Sequence, residues 1–286
     1  MMKKNILSLL FLALLPFLSS AQKWEVGLFG GISHYNGDLS EGLFMTDAIH
    51  PTIGGLIRYN VNYKWSIRAS AYYGKISGSD EFATDEVRRQ RNLSFYSNLT
   101  EISITPEFNF TGYKIRTKRF TFSPFAYAGL AIFKYSPMAD MDGSTWNLQQ
   151  MRTEGQGSIY NQQESQKNAD YPQKPYALTQ VSIPMGLGIK WAIGKHLNFT
   201  FEVSARKTFT DYLDDVSHWY VPANVFYQTS GDDGYKLMDR RAELTGLDVE
   251  PQDLIKTRGN STTNDWYYFH GITLTYTFFP PACFKF

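Results

Sequence analysis

The chain has 286 residues, one cysteine and a formal charge of +1. That even balance argues against nucleic-acid binding, which needs a concentrated basic face, and Cys283 has no partner for an internal disulfide. Aromatic residues make up 16% of the chain, yet mean hydropathy is below zero and no apolar run after residue 21 reaches the ~18 residues of a membrane helix.

Residues 1–21 read as a secretory signal peptide. Lys3 and Lys4 precede an apolar run over 6–17, and Ser19, Ser20 and Ala21 supply a small-residue cleavage site. The run is too short to span a bilayer, which takes ~20 residues. Cleavage after Ala21 leaves Gln22 first, with 26 basic against 27 acidic residues once Lys3 and Lys4 are gone. No cysteine lies near the cleavage site, so no lipid anchor is expected there.

Eight stretches with a period of two follow. Residues 24–35 are glycine-rich, with Val26, Leu28 and Ile32 on one face. Residues 52–59 set Ile53, Ile57 and Tyr59 against Arg58. In the third, Trp65, Ile67, Ala69, Ala71 and Tyr73 alternate with Ser66, Arg68, Ser70 and Tyr72. In the fourth, Ile102, Ile104, Pro106, Phe108 and Phe110 alternate with Glu101, Ser103, Thr105, Glu107 and Asn109. Residues 120–135 are almost wholly apolar. The sixth, 176–191, sets Val181, Ile183, Met185, Leu187, Ile189 and Trp191 against Ser182, Gly186, Gly188 and Lys190. The seventh sets Phe199, Phe201, Val203 and Ala205 against Asn198, Thr200, Glu202, Ser204 and Arg206. The eighth sets Ile272, Leu274, Tyr276 and Phe278 against Gly271, Thr273, Thr275 and Thr277. Pro106, Pro124 and Pro184 fall inside strands, where each removes a ladder donor.

Backbone groups in hydrocarbon must all be paired, which a closed barrel achieves between strands. Each strand then alternates lipid-facing and lumen-facing residues. A soluble β-sandwich also alternates, but the connections favour the barrel. Short ones (60–64, 111–119, 192–196) interleave with long ones (36–51, 77–97, 136–175, 207–264), as periplasmic turns interleave with outer loops. The expected fold is all-β, an eight-stranded antiparallel transmembrane β-barrel over 22–279 with long extracellular loops. Both termini, including a short tail over 280–286, are expected on the periplasmic side of the outer membrane.

An eight-stranded barrel is filled by its own side chains. Arg58, Arg68 and Arg206 with Glu101, Glu107 and Glu202 are therefore expected to pair as a structural ion network in the lumen, since unpaired buried charge is costly. A conduction or proton pathway is the functional alternative, and the narrow bore favours the plug.

Several short stretches resemble a known family. They are YNGDL (35–39), GGLIRYN (54–60), RNLSF (91–95), SPFAYAGLAIF (123–133), TEGQG (153–157), RKTFTDYLDDVS (206–217) and TNDWY (263–267). In these the chain resembles the PorG family of Bacteroidetes outer-membrane proteins, also described as an uncharacterised-domain barrel family. The resemblance implies a part in the type IX secretion system: a non-enzymatic scaffold tethering a ring of a periplasmic lipoprotein and its partner to the outer membrane. That system exports proteins and, in gliding species, adhesins. Outer-membrane lipids and other outer-membrane secretion components are the further partners implied.

No enzyme signature stands out. His34, His50, His196, His218 and His270 are scattered, and the neighbours Ser217 and His218 do not make a triad. The run Asp211, Asp214, Asp215 fits no EF-hand spacing and reads as an acidic loop base, so no metal is expected. TEGQG has no lysine and no helix signal after it, so phosphate binding is not expected. No cofactor is implied. The turn over 111–119 places Lys114, Arg116, Lys118 and Arg119 within six residues, either as a basic rim at lipid headgroups or as a docking surface for an acidic periplasmic partner. Two other functions are to be weighed against the scaffold: a small passive pore and, more remotely, a lipid-modifying enzyme.

Overall fold

The computed structural model describes residues 24–42, 48–114, 121–168, 171–246 and 257–278. The signal peptide, the C-terminal tail with Cys283, and Arg116, Lys118 and Arg119 lie outside the described residues.

Eleven strands form in chain order: β1 (Trp24–Asn36), β2 (His50–Asn60), β3 (Trp65–Ser79), β4 (Ser94–Asn109), β5 (Phe122–Ala128), β6 (Leu130–Lys134), β7 (Pro137–Met141), β8 (Ser144–Asn147), β9 (Thr179–Ala192), β10 (Leu197–Thr208) and β11 (Trp266–Thr277). All pairings are antiparallel. β1 pairs with β2 on one side and with β11 on the other, which closes a ring through β3, β4, β9 and β10. β5 and β6 together fill the place between β4 and β9, so the ring has eight members. β7 and β8 form a hairpin that continues β4 upward through the pair Tyr96↔Met138.

The break between β5 and β6 follows from proline chemistry. The Gly129 N–H donates to the Pro184 carbonyl at 3.0 Å, and Pro184 has no N–H to return. On the other flank, Pro106 falls between Ile104, which pairs with Leu130, and Glu107, which pairs with Tyr127. Gly129 is required because a Cβ there would lie 2.2 Å from the Ile104 carbonyl oxygen.

The two faces of the wall are inverted relative to a soluble protein. Leu28, Ile53, Ile102 and Leu130 point outward with 65–76% of their surface exposed, whereas Glu25, Arg58, Glu101 and Glu202 point inward with none. A sandwich would bury the aliphatic face, so the closed ring with its aliphatic belt is a transmembrane barrel of the outer-membrane kind. Among the described residues no helix is long and apolar enough to cross a membrane. At the short-turn end Trp24 meets Tyr59 and Trp65 meets Phe108, each pair 4.9 Å apart, as part of an aromatic girdle at headgroup depth.

The strands outrun the alternation at the long-loop end. β3 continues to Ser79 and β4 starts at Ser94, so the connection expected over 77–97 shrinks to 80–93. β11 starts at Trp266, directly after the connection expected over 207–264 and five residues before the alternation at Gly271 begins. The reason is chemical. Here the inward residues are Ile76, Phe95, Leu99, Phe133, Tyr267 and Phe269, which belong to one buried apolar cluster. On β11 both faces are aromatic there, Tyr268 outside against Tyr267 and Phe269 inside, so the period-two contrast disappears. On β3 and β4 the outward residues are polar (Lys75, Ser77, Asn98, Thr100) and the contrast inverts.

Candidate functional site

The interior at the short-turn end is an ion lattice. Arg58 lies between Glu25 (2.7 Å) and Glu107 (2.8 Å), and Lys190 Nζ reaches Glu107 at 2.5 Å. Arg68 bridges Glu107 (3.2 Å) and Glu202 (2.6 Å), and Arg206 pairs with Glu101 at 3.0 Å. All these side chains are at most 1% exposed. The register explains why Glu107 is central. Arg58 and Arg68 are direct cross-strand partners, an arrangement that repels, and Glu107 from β4 forms ion pairs with both. Rings cover the remaining faces: the Arg68 guanidinium sits 4.2 Å from the Tyr127 centroid, and that of Arg206 4.2 Å from Phe269. Tyr267 also donates to Glu101 at 2.8 Å.

The structure thus brings together Arg58, Arg68, Glu101, Glu107, Glu202 and Arg206, and adds two members. Lys190 was already visible on the polar face of its strand. Glu25 was hidden because glycines, Gly27 and Gly31, occupy the next inward positions of β1 and blur its alternation. With both, four cations face four anions.

The long-loop end carries a second buried assembly. Loops over 37–42, 80–93, 153–157, 210–221 and 257–265 converge on the barrel mouth and form a cap. Glu154 is its hub, fully buried. It accepts from the Ser217 N–H at 2.8 Å, the His218 N–H at 3.0 Å, the Tyr212 hydroxyl at 3.0 Å and Arg258 at 3.3 Å. Asp215 accepts from Tyr176 at 2.6 Å and also from Thr153, while Arg258 donates to its carbonyl. Arg91 holds Asp80 through two donors at 2.7 Å each and donates to the Asp38 and Arg258 carbonyls. At the base of the cap, Tyr35 donates to Asp214, and Asp265 accepts from the Leu213 N–H at 2.8 Å. Gly37 passes so close that a Cβ would sit 1.9 Å from Asp265 Oδ1 and 2.1 Å from the Tyr35 hydroxyl.

Electrostatically the cap is uneven. The His218 ring beside Glu154, with the Arg258 guanidinium and the Ser217 N–H, outweighs the cost of its burial and holds its carboxyl below the usual range. Burial pushes Asp215 up to about 6 and Asp211 up to about 9, with neighbouring carboxylates adding to the rise.

Five of the seven stretches that carry the family resemblance meet here: YNGDL, RNLSF, TEGQG, RKTFTDYLDDVS and TNDWY. GGLIRYN and SPFAYAGLAIF lie in the barrel wall. The acidic run Asp211, Asp214, Asp215, read as an acidic loop base, is buried in the cap. Among the described residues no group of three or more His, Cys, Asp or Glu has metal-holding geometry. TEGQG is followed by a helix after all, Ile159–Glu164, capped by Ser158, but one of only six residues. Ser217 and His218 are held by their backbone N–H groups on Glu154, a structural use of that pair. His34 and His270 face each other at 2.9 Å. Of the basic turn, only Lys114 falls within the described residues.

A family model described as a domain of unknown function, DUF6089, matches residues 4–154, more than half of the chain. No curated protein matches the sequence. Among solved structures, Neisserial surface protein A (NspA) is 9% identical with a TM-score of 0.41, over 89% of this chain and 97% of that one. Ail of Yersinia pestis is 9% identical with a TM-score of 0.40, over 90% and 99%. The N-terminal β-barrel domain of Pseudomonas aeruginosa OprF is 12% identical with a TM-score of 0.37, over 90% and 98%. Likeness at this level concerns the fold alone.

Proposed function

This chain belongs to the DUF6089 family, and on that footing we propose that it is a non-enzymatic outer-membrane scaffold of the type IX secretion system. In this reading the barrel tethers a ring of a periplasmic lipoprotein and its partner to the outer membrane and so supports export, and gliding where that occurs. The observation that carries the reading is the closed interior. Matched, fully buried charges fill one end, and a hydrogen-bonded cap with an apolar layer beneath it fills the other. A barrel packed in this way has its surfaces, not its bore, as working parts. The family-like stretches point to the secretion system, and the basic turn carrying Lys114 offers a surface for an acidic patch on a periplasmic partner, where charge steers and orients. Both chain termini would lie on that periplasmic side.

Affinity purification from native outer membranes tests the proposal. Ring lipoprotein or another secretion component is expected in the eluate, and its absence would count against the scaffold. Reversing Lys114, Arg116, Lys118 and Arg119 together is expected to release the ring partner in a pull-down, and unchanged recovery would remove the turn from the docking surface. Purified protein in liposomes is expected to pass no current, and steady conductance would favour the passive pore.

A further inference from the structure

The base of the cap poses a proton-counting problem. The Tyr35 hydroxyl, at the end of β1, lies within hydrogen-bond distance of two carboxyl groups. It donates to Asp214 Oδ2, and Asp265 Oδ1 is 3.4 Å away. A phenol has one proton to donate and two lone pairs to accept with. One lone pair takes the Leu39 N–H at 3.4 Å. The remaining contact, to Asp265, is a bond only if a carboxyl supplies the proton. The other oxygens are occupied: Asp265 Oδ2 accepts from the Leu213 N–H at 2.8 Å and Asp214 Oδ1 from the Val216 N–H at 2.9 Å. Both side chains are at most 1% exposed.

Among the described residues no cation forms an ion pair with Asp214 or Asp265. The titratable and charged groups that face it are Tyr35 from β1, Asp38 from the loop after β1, Arg91 from the helix Glu86–Arg91, Tyr135 after β6, and Asp211 on the same loop as Asp214. Arg91 is committed to Asp80, and Arg258 to Glu154 and Asp215.

We propose that Asp214 and Asp265 share a proton through the Tyr35 hydroxyl, and that this proton latches the cap onto the barrel mouth. The latch ties three segments that are distant in sequence: the end of β1, the loop over 210–217, and the start of β11. Asp265 also binds that loop and the end of β10 through its backbone, donating to the Thr210 carbonyl at 3.0 Å and accepting from Thr208 Oγ1 at 2.6 Å. Losing the proton would leave two negative charges on one hydroxyl in a dry site, and the loop would separate from the strand ends to hydrate them. The latch holds whether or not the barrel serves secretion.

The direction of the pH dependence follows. Burial, with Asp38 alongside, lifts Asp214 to about 8. Burial, then Asp214 and Asp211, pushes Asp265 well above its usual range. An opened cap returns both to the ordinary carboxylate value of about 4. The closed state therefore binds more protons, and its stability falls as pH rises from about 4 through 8.

Hydrogen exchange on the mature protein in nanodiscs, corrected for the intrinsic pH dependence of exchange, reads this out. Opening of residues 210–217 is expected to rise between pH 5 and pH 8, by up to about tenfold per pH unit for each proton released, while amides of β3 and β10 inside the barrel stay protected. Asp265→Asn and Asp214→Asn copy the protonated form, so each is expected to lessen the slope of the profile and leave the cap more closed than wild type at pH 8. Tyr35→Phe is expected to loosen the cap already at pH 5. Opening that does not change with pH, or asparagine variants with the wild-type slope, would overturn the latch. Having two separate asparagine variants keeps the test decisive if one fails to fold.

Discussion

The two ends of this barrel bury charge by opposite means. In the lumen, Glu25, Glu101, Glu107 and Glu202 face Arg58, Arg68, Lys190 and Arg206, one cation for each anion. In the cap, Asp80, Glu154, Asp211, Asp214, Asp215 and Asp265 are buried, and among the described residues fewer cations meet them: Arg91 and Arg258, with Arg88 3.8 Å from Asp80 and His218 3.6 Å from Glu154 at the edge. Asp239 and Arg241 pair with each other. The surplus in the cap is met by backbone N–H groups, tyrosine hydroxyls and retained protons. Rigid strands fix side chains at set heights, so opposite charges can be matched across the bore. Loops bring their own N–H groups, which satisfy a carboxylate without a counter-charge. The lumen should therefore respond to mutation and hardly to pH, and the cap should respond to both.

The largest effect is expected from Glu107→Ala. It leaves Arg58, Arg68 and Lys190 without their shared anion, and breaking a buried ion network costs about 3–5 kcal/mol. Urea unfolding in lipid vesicles measures this, and a loss below about 1 kcal/mol would mean that water reaches the site. Next, Ile102→Arg places a charge on the hydrocarbon face of β4, at about 2–4 kcal/mol near mid-bilayer. The neighbouring Ser103→Ala, facing inward, should change little by the same assay. Gly37→Ala comes third. Its methyl would collide with Asp265 and Tyr35, and overpacking of that kind costs about 1–3 kcal/mol. The loss should show as faster exchange in the cap while the barrel keeps its stability. Smallest is Asp211→Asn. Since Asp211 is held up at about 9 by burial and neighbouring acids, the closed cap keeps a proton there that the open cap loses above about pH 4. Removing that group should lessen the alkaline loosening of the cap, and a steeper loosening would show the sign to be wrong.

How much of this was legible beforehand depended on whether the two faces of a strand differ. Where Ile102 and Ile104 meet lipid and Glu101, Ser103 and Thr105 meet the lumen, period two identified strand, register and lumen residues together. Where Tyr267 and Phe269 point into an aromatic layer beneath the cap, nothing in the pattern separates inside from outside, and only the half of β11 from Gly271 onward shows the alternation. Glu25 escaped because Gly27 and Gly31 interrupt the inward face of its strand. The cap was legible only as family-like stretches. Their common location depends on loop closure across more than 200 residues, as between Tyr35 and Asp265, and no local period encodes that. The acidic run read as a loop base with no sign of its burial, since carboxylates are mostly exposed. Its burial depends on donors such as Tyr176 and Arg258 that are distant in sequence.

The central claim is that alternate residues of one strand face hydrocarbon and a dry polar interior. Spin labels at Ile102, Ser103 and Ile104 in reconstituted vesicles, read against oxygen and a water-soluble nickel complex, test it most directly. Labels at 102 and 104 should relax with oxygen and ignore nickel, and the label at 103 should be immobile and shielded from both. Nickel reaching 102 and 104 as readily as oxygen does would place that face in water and contradict the account.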